Sequence, residues 1–177
     1  MALYQLSNDI ISVIHRYSKY THPKNTPNIT LTRIEKNKYR KKIIWGNLSS
    51  NPNAIHLLEE NLDKVDWNWL SANPNAIHIL EKNLDKVDWS MLSMNPNAIH
   101  ILEQNLNKVH WDILSNNLNA VYLIEKNLDK VNWNVLSRNQ NANNILETNL
   151  DKVNWNVLSG NPNAVHIIET ILSNRFL

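Results

Sequence analysis

The sequence contains no cysteine, which excludes disulfide bonds, thiol chemistry and cysteine-ligated zinc. Glycine is almost absent, with two residues in 177, so turns that depend on glycine must be rare. No apolar run reaches the roughly 20 residues of a membrane span. The first apolar stretch is interrupted by Asn8 and Asp9, unlike the core of a secretory signal. We therefore expect an intracellular protein that is neither secreted nor membrane-bound.

What the sequence does contain is one motif repeated every 22 residues. Its second copy reads NPNAIHILEKNLDKVDWSMLSM, and the copies begin at Asn51, Asn73, Asn95, Asn117, Asn139 and Asn161. A fixed short period is typical of stacked repeat proteins. The predicted fold is all-α: an α-solenoid of 22-residue two-helix repeats with an N-terminal capping helix. Residues 1–42 are expected to form the N-terminal helix and a basic capping segment, and residues 43–177 the solenoid.

The first half of each repeat predicts a short helix. Asn73 is suited to cap it, with Pro74 at its first position. Ile79 and Leu80 then share a buried face with Ala76 and Ile77. Asn83 is expected to end the helix in a left-handed turn.

The second half predicts a shorter helix that begins at Asp85 or at Asp88. A strand is the alternative, because VDWNWL alternates apolar and polar residues, but the scarcity of glycine turns favours the helix. Its bulk is supplied by a Trp repeated in register: Trp45, Trp67, Trp89, Trp111, Trp133 and Trp155. We interpret these side chains as core rather than as a platform for stacking bases.

Other residue types also recur at fixed positions. The asparagines equivalent to Asn51, Asn53 and Asn61 predict caps and a ladder of hydrogen bonds to the backbone of neighbouring repeats. Recurring Glu and Lys, as at Glu59 and Lys64, predict ion pairs along the stack. The His-x-x-Glu spacing resembles half of a metal site, but further ligands are not visible. We expect no catalytic residue, no metal and no cofactor.

Residues that differ between repeats indicate where a partner would bind, because repeat proteins usually vary their contact surface. Two such positions lie one turn apart on the outer face of the first helix. They give the candidate partner-binding column: His56, Glu60, His78, Lys82, His100, Gln104, Tyr122 and Lys126. A third variable position lies in the turn, at Ala72, Met94, Asn116, Arg138 and Gly160.

Charge separates the N-terminal part from the repeats. Residues 1–50 carry nine Lys and Arg against two Asp and Glu, a balance of +7, whereas residues 51–177 carry a balance of −5. The candidate basic patch consists of Lys36, Lys38, Arg40, Lys41 and Lys42. It is interpreted either as a solvated helix face or as a contact for nucleic acid or another anionic partner.

Before this patch, Leu3 to Tyr20 predicts an amphipathic helix that caps the open end of the stack. Its segment LSNDIISVI also resembles the opening of an F-box, which would imply docking to a ubiquitin-ligase adaptor. The cap is favoured, because the later helices of that motif are not evident.

The repeat WxxLSxNPNAIHxLExNLDKV, over residues 43–177, resembles tandem repeats in proteins of giant DNA viruses of the mimivirus and phycodnavirus kind. The resemblance implies a viral protein in the host cytoplasm or in the virion. We expect a non-enzymatic protein-interaction scaffold with a protein partner. The alternatives are a structural virion or assembly component and a nucleic-acid-binding protein.

Two departures from the repeat carry predictions. Asn143 takes the place of Ile or Val, so burial of its amide should weaken the fifth repeat unless the amide is bonded. Ile171 takes the place of the helix-ending Asn, so the last first-half helix should run on. The apolar end that results predicts end-to-end self-association or back-folding of Phe176.

Overall fold

The structure is a computed structural model that describes residues 32–173. The chain forms two compact units, Met1–Ile44 and Trp45–Leu177. In the first unit the described residues form one helix, Arg33–Arg40. Thr32 and Glu35 make a capping box: Glu35 N donates to Thr32 Oγ1 at 3.3 Å, and Thr32 N donates to the Glu35 carboxylate at 2.9 Å. The bond from the Thr32 backbone lowers the pKa of Glu35. Residues 1–31, which include the predicted capping helix, lie outside the described residues.

The second unit repeats a pair of short helices. The first helix of each pair starts four residues after the leading Asn; these first helices are Ile55–Glu59, Ile77–Leu80, Ile99–Glu103, Val121–Glu125, Asn143–Glu147 and Val165–Ser173. The second begins at the recurring Trp and is called the Trp helix; these are Trp45–Ser49, Trp67–Ala72, Trp89–Met94, Trp111–Leu114, Trp133–Leu136 and Trp155–Leu158. Two 3₁₀ turns, Leu106–Lys108 and Pro162–Ala164, complete the elements. No strand occurs within residues 32–173, so this part is all-helical, and VDWNWL is not a strand.

The Trp helix begins where an acceptor side chain can cap it. Asp88 Oδ1 accepts from Met91 N at 2.8 Å, and Asn132 plays the same role in a later repeat. This settles the start of the second helix in favour of Asp88 over Asp85. His110 stands at the equivalent position and makes no side-chain cap.

The ends of the first helix differ from the prediction in two ways. Asn73 does not cap it directly: its Oδ1 accepts from Asn75 N at 3.0 Å in a turn, and the helix starts only at Ile77. The prediction of a left-handed turn at Asn83 is also wrong, because no non-glycine residue in the described part of the chain has a positive φ. Instead Asn83 Nδ2 donates to the Ile79 carbonyl at 2.8 Å, so the side chain satisfies an orphan carbonyl at the helix end.

The core runs along the repeats and is made by the same positions in each. Ala76, Leu80 and Leu92 are fully buried, and their counterparts in the other complete repeats are buried as well. Successive Trp helices, such as Trp67–Ala72 and Trp89–Met94, pack against each other. Helices of four to six residues have too few backbone bonds to be stable alone. Packing on the neighbouring repeat therefore supplies their stability.

Candidate functional site

The residues of the partner-binding column are exposed on the first helices, but two of its three histidines contact a carboxylate of the preceding repeat, as does the histidine at the same position of the last repeat. His78 Nε2 lies 2.6 Å from Glu59 Oε1, and His100 Nε2 lies 2.7 Å from Glu81 Oε1. His166 makes the same contact with Glu147. Each pair joins residues 19 apart in the sequence and is about half exposed. These histidines therefore tie one repeat to the preceding one.

The fourth repeat uses a lysine for the same purpose. Lys126 Nζ lies 3.3 Å from Glu103 Oε1 and 3.9 Å from the centroid of the Tyr122 ring. The Tyr122 side chain, followed by Glu103, raises the pKa of Lys126. Tyr122 is 59% exposed, so it presents an aromatic surface beside a fixed positive charge. The other column residues, His56, Glu60, Lys82 and Gln104, are exposed.

The recurring lysines do not form the predicted ladder of ion pairs with the recurring glutamates. Each instead lies over the Trp ring of the preceding Trp helix, for example Lys86 over Trp67 at 5.0 Å and Lys108 over Trp89 at 4.6 Å. Lys64, Lys130 and Lys152 lie over Trp45, Trp111 and Trp133 at 5.2–5.3 Å. One face of each Trp thus packs on the core while the other holds a cation, a contact that strengthens as water is removed.

The predicted asparagine ladder is confirmed. Asn95 Nδ2 donates to the carbonyl of Ser71 at 3.0 Å, near the end of the repeat that begins at Asn51, and to that of Asn73 at 2.9 Å, at the start of the next repeat. Asn97 Nδ2 donates to the Pro74 carbonyl at 2.9 Å. The same bonds recur through Asn161 and Asn163 in the last repeat. Because Asn95 is buried, a shift between repeats would leave its amide unsatisfied.

A buried serine ladder adds to these contacts and has no counterpart in the sequence-based predictions. Ser71 Oγ donates to the Trp67 carbonyl at 2.6 Å and accepts from Asp88 N at 3.0 Å. Its equivalents Ser49, Ser93, Ser115 and Ser137 do the same. Each serine joins the end of one Trp helix to the start of the next.

The turn between repeats forms a second variable surface. A groove of about 460 Å³ is lined by the end of the second repeat, the third repeat and the start of the fourth, through Met94, Ile113 and Leu118. Leu118 stands where most repeats have Pro and is 47% exposed. Asn116 and Arg138, at the variable turn position, are also exposed. This surface is apolar at one repeat and basic at the next.

Asn143 lies at the edge of the core rather than inside it. Its Nδ2 donates to the Asn163 carbonyl of the next repeat at 2.9 Å. Its Oδ1 is buried and has no hydrogen-bond partner. The amide is therefore half satisfied, and it bonds to a different repeat from its own.

The basic patch is exposed throughout. Lys36, Lys38 and Arg40 lie on the helix Arg33–Arg40, and Lys41 and Lys42 follow its end. Lys38 Nζ and Lys42 Nζ lie 5.7 and 5.8 Å from the Tyr39 ring centroid. The patch thus combines cationic groups with an exposed ring that a base or another planar group could stack on.

Residues 32–173 contain no group of three His, Cys, Asp or Glu side chains that could hold a metal ion. No helix among them is both long and apolar enough to cross a membrane. No protein-family model, curated protein or solved structure matches this chain.

Proposed function

We propose that the chain is a non-enzymatic protein-interaction scaffold, built as an α-solenoid, that binds a protein partner through the outer column of its first helices. The observation that carries the proposal is the contrast between the inside and the outside of the repeats. The ladder of Asn73, Asn95 and Asn117 repeats its bonds with little change. The exposed residues Glu60, Lys82 and Gln104, at one outer position, are all different.

The ladders give a physical reason for this arrangement. Identical bonds between successive repeats fix the spacing of the outer side chains, so a partner meets a preorganised surface and little binding free energy is lost in ordering it. Specificity then depends on the differing residues, above all the exposed Tyr122 with Lys126 beside it. The resemblance of the repeat to those of giant viruses supports placing this scaffold in an infected host cell or in the virion.

The test is a comparison of two alanine sets. The column set replaces Glu60, Lys82, Gln104 and Tyr122, which can be changed without breaking a His–Glu contact. The control set replaces the exposed turn residues Met94, Asn116 and Arg138. Partners captured from host lysate are identified, purified and titrated against each variant.

The column set should lose affinity at least tenfold, about 1.4 kcal/mol, because interface aromatics carry much of the binding energy. The control set should bind like the wild type, and both should retain wild-type helicity. Equal loss with the control set, or none with the column set, would contradict binding through the column.

Nucleic-acid binding is the second candidate function, favoured by the exposure of the basic patch around Tyr39. Its signature is a fall in affinity with salt, because each neutralised phosphate releases counterions and contributes a slope of roughly −0.7 on single strands. Binding of a fluorescent oligonucleotide is measured across salt concentrations for the wild type and for a variant with Lys36, Lys38 and Lys42 replaced by Gln. A slope that is unchanged in the variant would exclude the patch as the contact.

A further inference from the structure

Successive first helices are joined at most repeat boundaries by one contact between exposed side chains, which we call the outer tie. In each outer tie, a basic side chain of the later repeat contacts a glutamate of the earlier repeat. The outer ties are, in chain order, His78 with Glu59, His100 with Glu81, Lys126 with Glu103, and His166 with Glu147. Each tie restrains the separation of two first helices on their exposed side.

The boundary between the fourth and fifth repeats, which we call the 4–5 boundary, has no outer tie among residues 32–173. Glu125 is present at the acceptor position, but Asn144 stands where other repeats carry the tie-forming histidine. Thr148 stands at the position of the tie-forming lysine. Its Oγ1 donates instead to the carbonyls of Asn144 and Ile145, at 2.9 and 3.2 Å, within its own helix. Neither outer position of the fifth repeat therefore reaches back to the fourth.

The first helix of the fifth repeat, Asn143–Glu147, is joined instead to the sixth repeat. Asn143 Nδ2 donates to the Asn163 carbonyl at 2.9 Å, a bond that joins residues 20 apart. Glu147 contacts His166 in the outer tie of the next boundary. The side chains of this helix thus form two contacts with the repeat that follows and no outer tie with the repeat that precedes.

The packing of this helix is also weaker than that of its counterparts. Ile77, Ile99 and Val121 occupy the position of Asn143 in earlier repeats, and each packs against the core. Asn143 replaces this apolar contact with an amide whose buried Oδ1 has no hydrogen-bond partner. A buried acceptor without a partner disfavours the packed arrangement. The closed form is therefore held less firmly here than in the other repeats.

Other contacts across the 4–5 boundary are complete. Asn139 Nδ2 donates to the Asn117 carbonyl at 3.3 Å, as in the asparagine ladder elsewhere. Lys152 lies over Trp133, with Nζ 5.2 Å from the ring centroid. The serine contact between the two Trp helices is present as well. The boundary is thus joined through the asparagine ladder and the Trp helices and lacks only the tie between first helices.

We propose that the 4–5 boundary is a hinge, at which the first helices of the fourth and fifth repeats separate while the asparagine ladder and the Trp helices stay joined. Hinges lie where few contacts oppose a change of angle, and this boundary has lost its contacts on one side only. The first four repeats move as one body and the last two as another. The inference does not depend on the proposed scaffold function, because it rests on contacts between repeats.

The test measures distances between two spin labels by double electron–electron resonance on the full chain. The sequence has no cysteine, so two introduced cysteines are the only sites labelled. One pair, Asn107→Cys with Asp151→Cys, spans the boundary between the third and fourth repeats and the 4–5 boundary. The control pair, Asp85→Cys with Asp129→Cys, spans the boundary between the second and third repeats and the same boundary between the third and fourth. All four positions are exposed and equivalent in the repeat.

The distance distribution of the first pair should be broader than that of the control pair, because only the first pair spans the hinge. Asn144→His places a histidine opposite Glu125 and should narrow the first distribution to the width of the control. His100→Asn removes an outer tie between the second and third repeats and should broaden the control distribution. Circular dichroism checks that each labelled variant keeps the helix content of the wild type.

Two results would overturn the proposal. Equal widths for the two pairs in the wild type would mean that the 4–5 boundary is as rigid as the boundary between the second and third repeats. A broad first distribution that Asn144→His leaves unchanged would mean that the missing tie is not the cause of the motion.

Discussion

Replacement of Asn95 by alanine tests how much the asparagine ladder contributes to stability. Asn95 is 1% exposed and makes three hydrogen bonds: two from Nδ2 to the Ser71 and Asn73 carbonyls and one from Asn97 N to Oδ1. Each bond contributes about 1 kcal/mol, so Asn95→Ala should lower the free energy of unfolding by about 3 kcal/mol. Carbonyls that remain buried without a partner would increase this loss.

The control is Asn97→Ala. Asn97 is exposed, and its Nδ2 donates one hydrogen bond, to the Pro74 carbonyl at 2.9 Å. Its replacement should therefore cost at most about 1 kcal/mol of unfolding free energy. The difference between the two variants, about 2 kcal/mol, measures the additional hydrogen bonds that the buried Asn95 side chain makes.

The assay is unfolding in urea, followed by Trp fluorescence and by circular dichroism. Agreement between the two probes decides whether one free energy of unfolding describes the transition. For a chain of this size, 3 kcal/mol corresponds to a fall of about 6–12 °C in melting temperature. An Asn95→Ala variant that loses no more stability than Asn97→Ala would refute the ladder as a source of stability.

Two further predictions concern single contacts between repeats. Lys108→Gln removes the cation over Trp89, 4.6 Å from the ring centroid, and should cost about 0.5–1 kcal/mol of unfolding free energy. Lys82→Gln is the control in the same urea titration. Lys82 is exposed, so its replacement should lower the free energy of unfolding by less. Asn143→Ile removes a buried oxygen without a partner, which should raise the free energy of unfolding by about 1–3 kcal/mol. It also removes the hydrogen bond to the exposed Asn163, which should lower that free energy by about 1 kcal/mol. The melting temperature should therefore rise, and a clear fall would show that the bond to Asn163 outweighs the unsatisfied oxygen.

The sequence alone was sufficient to predict the helical repeat and the asparagine ladder. Asn and Pro recur at the same positions, and a side chain of the Asn type bonds readily to nearby backbone. The buried positions also followed from the periodicity, because Ala76, Leu80 and Leu92 recur with the spacing of a helix face.

The partners of the charged residues did not follow from that pattern. Glu59 and Lys64 were paired as opposite charges, whereas the structure joins Glu59 to His78 and Lys64 to Trp45. The available signal was the separation of 19 residues, which is the same for both contacts and becomes a direct contact only when repeats stack. The spacing of residues within one helix does not show which residues of neighbouring repeats come into contact.

The error at Asn83 has a similar cause. Asn is tolerated in a left-handed turn, so the residue type agreed with that prediction. The structure uses its side chain instead to bond the Ile79 carbonyl, which leaves the backbone free to enter the next turn without positive φ. The Asn residue type predicted where the helix ends. It did not decide whether the free carbonyls at that end are bonded through a left-handed backbone turn or through the Asn83 side chain.

The central claim is that each repeat binds the preceding one through buried asparagine amides in a single register. Nuclear magnetic resonance of the Asn side-chain amides tests it directly, through hydrogen exchange and through contacts between residues 22 apart. The amides of Asn73, Asn95, Asn117, Asn139 and Asn161 should exchange slowly, and that of Asn95 should show a contact with Asn73. Rapid exchange of all five, without contacts between neighbouring repeats, would contradict the claim.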